Sequence, residues 1–178
     1  MGIAKDVIDL MDTALEILDM SYKEVLICEL GDQKMKFGKH RIAKKYFESL
    51  GARHVSIDIN GKNGAKKLDL AKPIKKWKNT FDIVTNYGTS EHVEGQDACF
   101  ENIHNFCRVG GAMVHVVPLK GTYKRHSPYH YDTEFFNILA AMNHYTVILN
   151  AIRRRSDIAA NVCVVLIKER DNEYKTFC

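Results

Sequence analysis

Three short apolar runs, each ending at polar residues or glycine, constrain this chain more than any other feature. They are Val25–Leu30 closed by Gly31, Val55–Ile59 closed by Asn60-Gly61, and Phe81–Tyr87 closed by Gly88. Helical patterns lie between them. Ile42, Tyr46, Phe47 and Leu50 share one helical face, and Gly51 stands where it closes that helix. Strands alternating with amphipathic helices build a parallel sheet covered on both faces, whose ligands bind beyond the carboxyl ends of the strands. Glu29 and Asp58 end neighbouring runs. Two carboxylates at that edge suit the hydroxyls and amine of a nucleoside-bearing ligand.

The remaining segments extend the pattern. Val7, Met11, Ala14, Leu15 and Leu18 form an apolar stripe on a helix over 6–20 that must pack on something. A short element over 66–70, a helix over 96–107 and a strand over 112–117 follow, and Thr133 is the expected cap of a last helix. The final runs, 145–149 and 161–167, have no convincing helix between them and read as an antiparallel hairpin with a long connection. The expected fold is α/β, one domain over 1–178. It has a mainly parallel sheet of about seven strands, helices on both faces and an antiparallel C-terminal strand.

With 178 residues, 46% of them apolar and 27% charged, the chain has the composition of a soluble globular domain. A net charge of +4 is mild. The basic runs Lys66-Lys67, Lys75-Lys76-Lys78 and Arg153-Arg154-Arg155 permit nucleic-acid binding, but such runs are more often solvated faces, so nucleic acid is not the expected partner. No apolar run approaches the ~20 residues that cross a bilayer, and Met1–Asp6 has no signal-peptide pattern. The five cysteines form no CxxC pair. These features read as a reduced, cytoplasmic protein. His126 and His130 have i, i+4 spacing, but Pro128 lies between them, and the histidines lack a cysteine set, so no metal is expected.

The order of these motifs resembles the class I S-adenosylmethionine-dependent methyltransferases, over roughly Val25 to Ile167. Glu29-Leu30-Gly31 looks like the family's acidic-x-Gly motif, and Asp58-Ile59 like the acid ending its second strand. Leu68-Asp69-Leu70 is similar to the segment whose acid approaches the adenine amino group. Phe81–Val84 with Glu91-His92-Val93, and Val109-Gly110-Gly111-Ala112, resemble its fourth-strand signature and the turn into its fifth strand. The resemblance implies a Rossmann-like three-layer α/β/α fold with S-adenosylmethionine as cofactor. It implies cofactor contacts at Glu29, Leu30, Gly31, Asp58, Ile59, Asp69, Leu70, Asn86 and Tyr87. One position departs: Gln33 stands where the family usually has a second glycine. Either a side chain there narrows the methionine pocket, or a rerouted loop replaces the motif.

The acceptor is then expected among Tyr87, Glu91, His92, His126 and His130, with His130 or His92 as the base that takes its proton. Few aliphatic side chains line that loop, so a small polar acceptor fits better than a lipid. Two rival readings stand beside the enzyme. One is a methyltransferase-like binding protein without turnover. The other is a dinucleotide-dependent oxidoreductase, disfavoured because no GxGxxG follows the first run.

Overall fold

The computed structural model describes residues 2–176; Cys178 lies outside them. The chain order is β1 (Gly2–Ile3), α1 (Lys5–Ile17), β2 (Leu26–Leu30), β3 (Lys34–Met35), α2 (Ala43–Ser49), β4 (Arg53–Asp58) and β5 (Lys66–Lys67). Then come β6 (Phe81–Tyr87), α3 (Gln96–Phe106), β7 (Cys107–Pro118), α4 (Thr133–Asn143), β8 (Tyr145–Ser156) and β9 (Ala159–Lys168). Seven strands form one sheet in the order β5-β4-β2-β6-β7-β9-β8. The pairs from β5 to β7 are parallel, while β9 runs antiparallel to both neighbours. The expected Rossmann-like architecture is what the chain adopts.

Strand alternation sorts side chains into two cores. Cys28, Leu30, Ile57, Val84 and Met113 pack toward α3 and α4, with Phe100, Phe106 and Phe136. Ile27, Ile83, Tyr87, Val114 and Val165 pack toward α1 and α2, with Met11, Leu15 and Phe47. A parallel strand buried on both faces needs apolar residues at nearly every position, which is why these runs are continuous. The chain leaves β2 toward β4 and β5 on one side, then returns to β6 and β7 on the other. The reversal falls between β2 and β6.

Two expectations, the long hairpin connection and the Thr133 cap, need correction. The last hairpin has a tight connection rather than a long one, because Ser156 already pairs with Ala159. The arginine run lies in the edge strand β8, and Arg153 and Arg155 each approach Asp6 of α1 at 3.2 Å. Asp132, not Thr133, caps α4, its carboxylate accepting from the Phe135 N–H at 2.8 Å. The polar stretch after Gly31 also hides β3, which pairs with β1.

Candidate functional site

A cavity of about 530 Å³ opens beyond the carboxyl ends of β2, β4 and β6. Gly31, Asp32 and Gln33 follow β2 on its wall, Ile57, Asp58 and Ile59 end β4, and Leu68–Ala71 follow β5. Gly88, Thr89 and His92–Glu94 close the side that follows β6. It lies at the sheet's order reversal, where adjacent strand ends lead apart and leave a crevice.

The turn out of β2 depends on Gly31. Its φ is +86°, and a Cβ there would stand 2.5 Å from Thr89 Oγ1 and 2.7 Å from Gln33 Nε2. Its N–H donates to the Ile57 carbonyl at 2.7 Å. The Gln33 amide donates to Thr89 Oγ1 at 2.9 Å, and that hydroxyl donates to the Leu30 carbonyl at 2.7 Å. Gln33 thus ties the loop after β2 to the loop after β6. Downstream, the chain detours through β3, and α2 begins only at Ala43, whose N–H donates to the Gln33 carbonyl at 2.9 Å. The chain after β2 thus passes through β3 before it reaches α2, and Gln33 forms part of the cavity wall.

Asp58 is fixed by two backbone donors, the Asp32 N–H at 2.9 Å on Oδ2 and the Asn60 N–H at 2.8 Å on Oδ1. A carboxylate offers about four lone-pair sites, so each oxygen keeps one for a ligand hydroxyl. Asp69 accepts from the Ala71 N–H at 3.0 Å and faces Lys72 Nζ at 3.5 Å. Ile59 is 67% exposed, a large apolar side chain left open on the cavity wall. With Leu68, Leu70 and Val93 it gives that wall an apolar surface suited to a planar base.

Four expected cofactor contacts do not line this cavity. Glu29 and Tyr87 point to the α1/α2 side of the sheet, as strand alternation requires. Glu29 is buried and accepts from Ser56 Oγ at 2.9 Å. Burial pushes its carboxyl up to about 8, opposed by hydrogen bonds from Ser56 and the Gln33 backbone. Leu30 faces the opposite core. Asn86 organises the turn after β6, donating to Ser90 Oγ at 2.8 Å and accepting from the Ser90 N–H at 3.1 Å. Gly31, Asp58, Ile59, Asp69 and Leu70 do reach the cavity wall.

Tyr87 instead lines a second cavity, of about 360 Å³, with Ile3, Lys36, Tyr123, His126, Arg155 and Asn161 among its neighbours. The Tyr87 hydroxyl and Asn161 Oδ1 are buried there without a hydrogen-bond partner among the described residues. Burial raises the Tyr87 pKa. The two cavities approach one another at His92, on the wall of the first, and His126, on the wall of the second. Their rings meet edge to face with centroids 5.1 Å apart. Desolvation lowers the pKa of both, which favours the neutral imidazole. Beneath them Glu91 is fully buried, and desolvation pushes its carboxyl up to about 7. His130 lies on neither wall. Asp32 and Thr89 on the first wall, and Lys36, Arg155 and Asn161 on the second, were not expected as site residues. Strand-end acids and motif spacing do not mark them.

No family model matches the chain, and no curated protein matches it in sequence. Solved structures do match in shape. The N-methyltransferase NodS from Bradyrhizobium japonicum, in complex with S-adenosylhomocysteine, aligns with a TM-score of 0.68 at 13% identity, over 93% of this chain and 87% of that one. The 1,6-didemethyltoxoflavin-N1-methyltransferase of Burkholderia thailandensis, also with S-adenosylhomocysteine bound, aligns at 0.65 and 14% identity, over 93% and 79%. The [4+2]-cyclase SpnF aligns at 0.66 and 9% identity, over 90% and 80%. With its strand order, its single antiparallel strand and its cavity at the order reversal, this chain has the class I methyltransferase fold.

Proposed function

We propose that the chain is an S-adenosylmethionine-dependent methyltransferase acting on a small polar acceptor. One observation carries this reading: the first cavity offers, side by side, a carboxylate with open lone pairs and an apolar wall. Asp58 takes the ribose hydroxyls. Ile59, Leu68, Leu70 and Val93 take the faces of the adenine, with Asp69 beside its amino group. Gly31, Gln33 and Thr89 then meet the methionine end, and the sulfonium methyl points toward His92.

The acceptor occupies the second cavity. Its small volume and the Tyr87 hydroxyl and Asn161 carbonyl, which lack partners among the described residues, favour a compact polar molecule over a lipid. Because Tyr87 is absent from the first wall, it holds the acceptor and not the sulfonium. The methyl group is already activated, so in-line placement supplies most of the acceleration. His92 is the better placed base of the two expected, since it stands where the cavities approach, while His130 lines neither. The four described cysteines are buried free thiols, which supports a reducing, cytoplasmic setting. No helix among the described residues is long and apolar enough to cross a membrane.

A second reading, a binding protein of the same fold without turnover, is favoured by Gln33, whose side chain takes up space that a glycine would leave. The similarity to a cyclase is a reminder that this fold hosts other chemistry. Calorimetric titration with S-adenosylmethionine, S-adenosylhomocysteine and NAD separates the readings. The enzyme should bind the first two and not NAD. Binding of NAD alone, or of none of the three, would contradict it. Turnover with a panel of small amines and hydroxyl compounds then separates enzyme from binding protein.

A further inference from the structure

The meeting point of the two cavities carries more chemistry than a single base requires. Glu91 and His92 sit on the turn after β6, and His126 sits on the loop between β7 and α4. One ligand atom from each lies within 4.8 Å of the other two. His92 Nε2 stands 3.9 Å from Glu91 Oε1. Glu91 is fully buried, and neither of its carboxyl oxygens has a hydrogen-bond partner among the described residues. A buried carboxylate left without a partner is costly, and it is relieved either by taking up a proton or by a cation that answers it. Both histidines are exposed.

We propose that Glu91, His92 and His126 bind a divalent transition-metal ion at the threshold between the cavities. The donor set is chemically suited to it. Imidazole and carboxylate together take Zn²⁺, Co²⁺ or Fe²⁺, and two histidines with one carboxylate leave coordination positions open. Donors roughly 2.0–2.2 Å from a tetrahedral ion stand about 3.3–3.5 Å apart. The 3.9 Å pair therefore needs only a small closure, well within side-chain rotation. Glu91 supplies the negative charge.

Metal binding stands on these side chains alone; only the role of the ion rests on the methyl-transfer reading. In that role the ion holds an acceptor oxygen and lowers its pKa. The acceptor O–H gives its proton to solvent, and the oxygen keeps the electron pair that forms the O–CH₃ bond. The S–CH₃ pair stays on sulfur, which leaves as a neutral thioether. With the ion bound, His92 is a ligand and its role as a base belongs to the metal-free chain, so the acceptor class narrows to hydroxyl compounds.

The test uses tag-free protein without S-adenosylmethionine, titrated with Co²⁺ and followed by visible d–d absorption, then displaced by Zn²⁺. Saturation at a single ion per chain is expected. Glu91→Gln keeps the shape and removes the charge, and His126→Ala changes only an exposed loop. Each should weaken binding by at least the ~10–100-fold that even an outer-shell partner contributes. His144→Ala, far from the cluster, should bind as the unaltered chain does. Zn²⁺ should raise the Tm of the unaltered chain and leave that of Glu91→Gln nearly unmoved. No saturable spectrum, or equal binding by Glu91→Gln and His126→Ala, would overturn the site. Because no methyl donor is present, that failure leaves the methyltransferase reading untouched.

Discussion

The two cavities are built from different materials. The first is walled by the ends of three hydrogen-bonded parallel strands, and its polar side chains are already held. Asp58 is fixed by two backbone N–H groups, Asp69 by one, and Gln33 and Thr89 hold each other. The second takes its wall from Gly2-Ile3, Tyr87, the loop at Tyr123–His126 and the hairpin at Arg155–Asn161. There the Tyr87 hydroxyl and Asn161 Oδ1 have no hydrogen-bond partner among the described residues. A site whose groups are fixed before the ligand arrives suits a constant ligand, and open polar groups suit a partner that supplies their missing bonds. The fold dictates the first cavity, and the side chains particular to this sequence dictate the second.

The largest test of that contrast is Gly31→Ala. A side chain at positive φ costs about 1–2 kcal/mol, and here its Cβ would also meet Thr89 Oγ1 at 2.5 Å. The loop must move, so turnover should fall by ~100-fold or more through misplacement of the methyl group. Normal turnover in a folded variant would show that the loop does not position the donor. Next comes Asp58→Ala, which should weaken S-adenosylmethionine by roughly 1.5–3 kcal/mol, the loss of charged hydrogen bonds to two hydroxyls. Unchanged affinity by calorimetry would move the ribose elsewhere.

Tyr87→Phe sharpens the comparison from the other side. Removing an unpartnered buried hydroxyl should raise stability by about 1 kcal/mol, while raising the acceptor KM and leaving cofactor affinity alone. A loss of stability in chemical denaturation would mean that the hydroxyl is bonded in solution. A last test is a pH slope. Glu29 titrates near 8 in the folded chain against an ordinary 4.5. A raised carboxyl pKa contributes stability that is complete below 4.5 and is lost as pH rises through about 8. Glu29→Gln should flatten that decline, since an amide neither ionises nor loses the Ser56 bond. An unchanged slope would place the titration elsewhere.

The same division explains what the sequence revealed. The first cavity was legible because strand ends announce themselves: an apolar run stops, and Asp58 or Gly31 follows. Which face a strand-end side chain takes was less so. Glu29 and Tyr87 lie in the right strands but point away from the first cavity, because alternation is decided by which helices cover each face. The second cavity joins residues from both ends of the chain, and no periodicity links Ile3 to Asn161. The detour through β3 was equally hidden, since two residues are too few to show alternation. The hairpin was misjudged because β8 carries arginines on an exposed edge, where burial does not enforce an apolar pattern.

The most direct test of the central claim is a crystal structure with S-adenosylhomocysteine. The nucleoside should lie in the first cavity, its ribose hydroxyls on Asp58 and its adenine against Ile59, Leu70 and Val93, with the sulfur turned toward His92. A ligand bound in the second cavity, or a first cavity left empty at saturating ligand, would contradict the account.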